Sequence, residues 1–460
     1  MSKPLTAVAD HHIVVLGLAR QGLAAARWLS AQGAHVTVSD MKAAEQLTAE
    51  LESLRDVNVK FVLGGHPWSL LDECDYVCLS GGVPIDLPIV EEARRRGIAL
   101  TNDAQLFVER CAAPIIGITG SAGKTTTTTL TGEILRAAHY ETWVGGNIGN
   151  PLIGDLDQIV PTQRVVMELS SFQLDVMTIS PQVAGVLNIT PNHLDRHKTM
   201  DAYTEAKAHI LDNQTFDDTA VLGYDNPIAR QLSGRTRGYV RFFSREKIIG
   251  RGAFLKGDRV IVVQNREQDV CRLGDIQLRG DHNVQNVLAA CALTAALGVE
   301  PDAMAQAIRE FKGVAHRLEL VRDVNGVKYY DASISTAPER LMADLQVYDE
   351  PIVLLAGGRD KHLPWDEAAK MIVERVRELI VFGEMAGLVQ TAVEAQLAQS
   401  DARVLARIHH AATLEEAVAI AAHVAQTGDA VLLSPGGTSY DAFKDFAERG
   451  DKFQELVKAL

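Results

Sequence analysis

From end to end, short runs of apolar, β-branched residues alternate with longer stretches whose apolar positions recur every three or four residues. Residues 12–17 (His-Ile-Val-Val-Leu-Gly) predict a strand, 21–32 a helix and 34–39 a second strand. This βαβ alternation favours parallel sheets with helices on both faces. Pro114 opens a new strand, Ile115-Ile116-Gly117-Ile118, after a helix-like stretch at 104–111, and a second break falls near Phe311-Lys312-Gly313. Between about 220 and 280 the strand-like pieces shorten and glycines fall at 250, 252, 257, 274 and 280, which predicts an antiparallel excursion. After 314 the alternation resumes, with candidate strands at 327–330, 351–356, 378–382 and 429–434. There is no internal repeat, and the threonine run Thr125 to Thr129 is the one low-complexity segment.

Length turns the pattern into an expected organisation. At roughly 150 residues per domain, 460 residues suggest about three domains. Hydrophobic residues at 47% and charged residues at 23% describe a globular chain and exclude a disordered or disulfide-stapled one. The net charge of −14, with no basic block, argues against sequence-independent binding to nucleic acid. Five cysteines, an odd number without paired spacing, point to a reducing compartment. Cys74 and Cys78 read as buried thiols, since no second pair completes a zinc site. The first residues lack the apolar core of a signal peptide, and no apolar run reaches the roughly 18 residues of a membrane span. A cytoplasmic protein without a membrane span is expected.

The strongest chemical signal is Gly117-Ile-Thr-Gly120-Ser121-Ala122-Gly123-Lys124-Thr125-Thr126, between an apolar strand and a helix-like segment. Glycines let backbone N–H groups converge on phosphate oxygens, and a helix N-terminus adds partial positive charge. Lys124 is placed to reach the β- and γ-phosphates, and the Thr125 hydroxyl to ligate magnesium. The strict G-x-x-x-x-G-K-T pattern fails at its first glycine, where Ile118 stands. The strand and helix on either side argue against a glycine-rich turn with a chance Lys-Thr.

Two further segments carry polar groups after apolar runs. Val165-Val166-Met167-Glu168 ends a strand in a carboxylate, where a phosphate-loop protein holds its metal. Asn188-Ile-Thr-Pro-Asn-His193-Leu-Asp195-Arg-His197 alternates His, Asp and His, which could line one strand face; imidazole ligates several metals, although hydrogen-bonded structural histidines are commoner. At the first βα turn, Gly17-Leu-Ala-Arg20-Gln21-Gly22, with Asp40 ending the second strand, is a degenerate dinucleotide fingerprint in which Ala19 replaces the middle glycine. It supports a nucleotide diphosphate more than a nicotinamide cofactor.

These motifs in this order resemble the Mur ligase family, nearly end to end. The resemblance rests on Gly120 to Thr125, Gly145-Gly-Asn147-Ile-Gly149, Glu168-Leu-Ser-Ser-Phe-Gln173, Asn188 to His193, Gly280-Asp-His282-Asn283-Val-Gln-Asn286, His316-Arg317, and Ser434-Pro435 with Arg449-Gly450. It implies an α/β fold of three domains: a Rossmann-like domain over 1–112 for a UDP-linked substrate, a central phosphate-loop domain over 113–313 for ATP, and a Rossmann-like domain over 314–460 for glutamate and ATP. The implied partners are small molecules (UDP-N-acetylmuramoyl-L-alanine, glutamate and ATP) with Mg2+ as cofactor, and a monomer is expected. The implied reaction activates the alanyl carboxylate as an acyl phosphate, which the amine of glutamate then attacks.

Roles follow position by position. Gly120, Ser121, Ala122, Gly123, Lys124, Thr125, Thr126, Asn283, Asn286, Arg317 and Asp331 match the ATP site. Arg20, Gln21, Asp40, Ser80, Gly82, Asn147 and His193 match the UDP-substrate site. Lys124, Glu168, His193 and Lys207 match the catalytic centre, with Thr125, Glu168, His193 and Lys207 around metal. Lys207 matches the lysine that is carbamylated in the family; without the resemblance it reads as a solvated helix lysine. Ser335, Thr336, Lys361, Ser439, Tyr440 and Phe446 match the glutamate pocket.

Two positions depart from the pattern. Ala122 replaces the usual asparagine of the phosphate loop, and its backbone N–H is expected to contribute in its place. In Asp331-Ala-Ser333-Ile-Ser335-Thr336, Ser333 stands where many relatives carry lysine, which removes one positive charge near the glutamate region. This segment leaves both enantiomers of glutamate open, with D-glutamate the primary reading. Folylpolyglutamate synthase chemistry does not explain the N-terminal domain, and a dehydrogenase leaves the phosphate loop without purpose. A phosphate-loop switch protein would hydrolyse ATP slowly and answer to a partner.

Overall fold

The computed structural model describes residues 8–399 and 404–460, with the Asp195 side chain also outside the description. Three sheets follow one another along the chain. The first is five-stranded and wholly parallel, in the order Val59–Leu63, His35–Asp40, His12–Leu16, Tyr76–Leu79, Ala99–Thr101. Its central strand feeds the helix Arg20–Ala31 through Gly17, which has a φ of 88°. Only glycine fits at the start of this helix: a Cβ on Gly22 would lie 1.9 Å from the Gly17 carbonyl oxygen.

The second sheet has nine strands. Its core is parallel, with Val183–Val186, Ile115–Thr119, Arg164–Glu168 and Thr142–Gly146 adjacent in that order. Every residue of Ile115–Thr119 is buried, as expected of a strand covered on both faces. The expected antiparallel excursion is shorter than the glycine pattern suggested. Thr219–Gly223, Tyr239–Ser244 and Gly252–Lys256 pair in parallel in that order, and only Arg259–Val263 runs antiparallel to its neighbours, Gly252–Lys256 and Glu267–Arg272. The spacing between 223 and 239 accommodates the short helix Pro227–Gln231, whose crossover permits parallel pairing.

The third sheet is six-stranded, in the order Glu319–Val324, Val327–Asp331, Ala430–Gly436, Ile352–Gly357, Val376–Phe382, Arg407–Ala411. Only its first pair is antiparallel. The edge strands Glu319–Val324 and Arg407–Ala411 are interrupted by polar residues, so an apolar-run criterion passes over both.

The chain divides into two compact units. One comprises 1–277 and 281–311, with the first two sheets; the other comprises 278–280 and 312–460, with the third. In the first unit a continuous core joins the sheets: Leu152, Ile153 and Leu156 pack with Ala25, Leu29 and Phe107. In the second unit, buried residues cover both faces of the sheet, with Leu354 and Val381 on one face and Leu355 and Ile380 on the other. No helix among the described residues is long and apolar enough to cross a membrane.

Candidate active site

The strand Ile115–Thr119 runs into the phosphate loop, and the helix Lys124–Ala137 starts immediately after it. Gly123, at the N-cap, has a φ of 82° and no side chain to cap the helix. A Cβ there would lie 2.2 Å from Asn286 Oδ1, so the loop closes against Asn286 only because residue 123 is glycine. Asn286 also accepts from Thr127 Oγ1 and donates to Asn283 Oδ1 at 2.9 Å, which brings both asparagines to the phosphate loop.

Glu168 ends the neighbouring strand and is 2% exposed. It accepts from the Thr125 hydroxyl at 2.9 Å and from the Asn147 side-chain amide at 2.8 Å. Gly146, with a φ of 97°, lets residue 147 turn in, and the Asn147 backbone N–H donates to the Glu168 carbonyl. Arg20 Nη2 donates to the Asn147 carbonyl at 3.2 Å, so the first βα turn reaches the same place. A hydroxyl and a buried carboxylate, both hard oxygen donors, suit magnesium.

The loop is tied to the segment at 188–193. Asn188 accepts the Ala122 N–H at 2.9 Å and returns its amide to the Ala122 carbonyl at 3.1 Å. The Ala122 N–H, expected to contribute toward phosphate, is donated to the Asn188 side chain in this structure. Ser121 Oγ bonds the Thr190 backbone and lies 3.1 Å from the Tyr203 hydroxyl. Thr126 is buried within the first helical turn. Lys124 folds back onto its own loop, donating to the Gly120 carbonyl at 3.0 Å.

Lys207, on the helix Met200–Asp212, is 1% exposed, so the solvated reading is wrong. Its ammonium donates to Gly120 O at 3.0 Å and Thr119 Oγ1 at 3.3 Å, and lies 4.7 Å from the Tyr203 ring centre. Burial, and then the Lys124 charge, push it well below the usual lysine range, against opposite pulls from Glu168 and Asp175. The His/Asp/His motif lies on no strand. His193 takes a left-handed φ of 53° and starts the short helix Leu194–His197, because Pro191 and the turn leave no ladder to join. His193 is exposed, with its ring 5.2 Å from Phe172; His197 is stacked on Phe172 and bonds Ser171 Oγ at 2.9 Å.

In the first sheet, Asp40 accepts the Leu18 N–H at 2.7 Å, and Gln21 Oε1 accepts the Gly81 N–H at 3.1 Å. The Ser80 hydroxyl is buried without a hydrogen-bond partner among the described residues, and Gly82 O receives Arg196 Nη2 at 3.3 Å. All the sequence-selected UDP-site positions thus belong to the same unit as the phosphate loop.

The second unit holds the other selected residues. Asp331 is fully buried, 2.7 Å from His316 Nδ1 and 3.1 Å from Gln454 Nε2, and it accepts the Ser333 N–H at 2.9 Å. Asp331 holds the His316 imidazole above its usual pKa, which burial only partly offsets. Arg317 is bracketed by left-handed, non-glycine residues, His316 at φ 60° and Leu318 at 50°. Ser335 gives its hydroxyl to the buried Asp344 at 2.6 Å, whereas Thr336 Oγ1 accepts from Lys361 Nζ at 3.1 Å. Ser439 is buried, and Tyr440 and Phe446 are exposed. Ser333 donates its hydroxyl to the Phe446 carbonyl at 2.7 Å and accepts from Arg449 Nε at 2.9 Å. Asn188, Tyr203 and the fully buried Arg449 also belong to these contacts; Asn188 and Arg449 lie inside the family-like motifs and Tyr203 lies one helical turn before Lys207, which is the signal the sequence offers for them.

These features define an α/β protein in which, along the chain, a phosphate-loop sheet follows one Rossmann-like sheet and precedes another. Family descriptions match in order: the Mur ligase MurD-like N-terminal domain at 11–102, the Mur ligase middle domain at 118–294, and the Mur ligase glutamate ligase domain at 316–437. The chain belongs to the Mur ligase family. It is 42% identical to the UDP-N-acetylmuramoylalanine–D-glutamate ligase of Pelotomaculum thermopropionicum over 97% of each chain. It is 43% identical to the ligase of the same name from Symbiobacterium thermophilum, again over 97% of each. Among solved structures, the fold resembles UDP-N-acetylmuramate-alanine ligase from Thermotoga maritima at a TM-score of 0.57 and 19% identity, covering 97% of this chain and 99% of that one. It also resembles MurF from Acinetobacter baumannii at a TM-score of 0.57 and 17% identity, covering 97% and 93%.

Proposed function

We infer that this chain joins D-glutamate to the alanyl carboxylate of UDP-N-acetylmuramoyl-L-alanine, consuming ATP and releasing ADP, in cytoplasmic synthesis of peptidoglycan precursors. The observation that carries the reading is the meeting on Glu168. Thr125 of the phosphate loop and Asn147 both bond its carboxylate, and Arg20 of the UDP-side turn bonds Asn147. ATP-side and acceptor-side groups are thereby coupled through one buried acid. Similarity to relatives named for D-glutamate addition, at 42% and 43% identity, favours this enantiomer over the L-form.

Gly120, Ser121, Gly123, Lys124 and Thr126 would cradle the ATP phosphates, with Asn283 and Asn286 on the nucleoside side. Arg317 and Asp331 keep the ATP-site role that the family resemblance implies. Thr125 and Glu168 would hold one magnesium ion, with His193 and a carbamylated Lys207 at a second position. When bound, magnesium offsets charge on the phosphoryl oxygens in transit. The alanyl carboxylate attacks the γ-phosphorus as the bond to the ADP oxygen breaks, giving an acyl phosphate. Lys124 brings positive charge to that transfer. The glutamate amine then attacks the acyl carbon, loses a proton and expels inorganic phosphate. The depressed pKa of Lys207 suits carbamate formation, in which a neutral amine adds carbon dioxide and releases one proton. Domains at 1–112, 113–313 and 314–460, and a monomeric state, complete the proposal.

ADP release that requires both UDP-N-acetylmuramoyl-L-alanine and glutamate tests this function. Each glutamate enantiomer is supplied separately. ADP formed without either substrate would overturn the ligase reading, and turnover confined to L-glutamate would overturn the stereochemical one.

A further inference from the structure

The segment Ile334 to Thr336 receives two cations. Lys361 Nζ donates to Thr336 Oγ1 at 3.1 Å, and Arg340 Nη1, from the first turn of the helix Pro338–Leu345, reaches the Ile334 carbonyl at 3.4 Å. Both side chains are exposed, and neither makes an ion pair among the described residues. A third cation, Arg449, is fully buried; among the described residues it donates to neutral groups, Ser333 Oγ, Ser333 O and Gly437 O, while the charges of Asp441 and Asp331 act on it without a hydrogen bond. Lys361 is held below the usual lysine range by partial burial first, then by the Arg340 charge, with Glu339 pulling upward and Arg449 downward. Like charges gathered at one segment repel one another unless an anion joins them. Ser333 adds no charge of its own, and it already bonds Phe446 O and Arg449.

We propose that Arg340 is a carboxylate-binding, specificity-determining residue for the amino-acid substrate, dividing the two carboxylates of glutamate with Lys361. The proposal rests on the ligase reading above, which calls for a dicarboxylate. A guanidinium and an ammonium that reach one short segment, at Ile334 O and Thr336 Oγ1, form a two-point receptor. Arg340 recognises a carboxylate through its planar fork, which lysine lacks.

The test uses the full-length chain and the variants Arg340→Ala and Arg340→Lys in steady-state ADP release. With acceptor and ATP saturating, R340A is expected to raise the glutamate KM about ten- to a hundredfold, the worth of a charge-assisted bond. The KM values for acceptor and ATP stay within about threefold on the same scale. R340K recovers part of the loss. Glutamine and isoglutamine, each with one carboxylate converted to an amide, serve as probes: R340A loses its preference for glutamate over one of them. An unchanged glutamate KM, a rise in all three KM values together, or an undiminished preference against both amides would overturn the proposal. Absence of glutamate-dependent ADP release in the unmutated chain would instead overturn the ligase reading itself.

Discussion

The side-chain nitrogens of Lys124 and Lys207 converge on a single oxygen, each donating to the Gly120 carbonyl at 3.0 Å. Two ammonium groups sharing one neutral acceptor repel each other, and burial strips Lys207 of the water that would screen that repulsion. The favourable response is for Lys207 to give up its proton. Carbamylation would convert the same group to an anion facing Lys124. Carbon-13-labelled bicarbonate should therefore give a carbamate NMR signal in the unmutated chain that is missing in Lys207→Arg, with ligase turnover lost in that variant. Full turnover in K207R would sink the assignment.

Glu168 is the common acceptor for Thr125 and Asn147. Glu168→Gln keeps the size and one acceptor oxygen but removes the charge that would hold magnesium. We expect turnover to fall at least about a hundredfold, in the range that loss of an electrostatic catalytic contact produces. Binding of the UDP-linked acceptor, measured by calorimetry, should stay near that of the unmutated chain. Near-normal turnover would remove Glu168 from the site.

Asp344 is a buried carboxyl, bonded by Ser335 and Ser434, whose pKa burial raises from 3.8 to about 6. A raised folded pKa means that the folded state holds the proton more tightly. Its stabilisation is then full below about pH 4 and is lost as pH rises to about 6. A shift of this size corresponds to roughly 2–3 kcal/mol. Asp344→Asn can still accept both hydroxyls, so its stability relative to the unmutated chain should improve between pH 4 and pH 7, read as unfolding midpoints in urea. A constant difference across that range would refute the account.

Arg449 is fully buried against neutral acceptors, and burial pulls its guanidinium down to about 10, so it is charged at neutral pH. Ser333 gives it two of its three hydrogen bonds. Ser333→Ala removes the side-chain one and also strips a donor from the Phe446 carbonyl. We expect a loss of roughly 1–3 kcal/mol, the cost of leaving a buried polar group unsatisfied. An unchanged unfolding midpoint would show that the hydroxyl contributes nothing.

Local pattern made the repeating units legible. The strands His12–Leu16 and Ile115–Thr119 are short apolar runs with glycines at their ends, and a parallel strand buried on both faces requires that composition. The same criterion could not find Arg407–Ala411, a polar edge strand recognisable only by its pairing partner. Nor could it reveal that His193 starts a helical turn, since a His/Asp/His spacing fits a strand face equally well before a ladder is known.

The chain's sequence by itself determined the α/β class, the order of the three sheets, and the identity of the phosphate loop and its acidic partner, because each depends on residues close together in sequence. Tertiary structure alone decided the electrostatic character of the site. Lys207 stands 87 positions from Gly120, and Asn188 stands 66 from Ala122. Whether a lysine is solvated or neutral, and whether a backbone N–H is free for phosphate or already donated, depends on which distant atoms packing brings within about 3 Å. The cations that meet at Ile334 to Thr336 are the same case: Arg340 is near in sequence and Lys361 is not, and only the folded sheet places both on one segment.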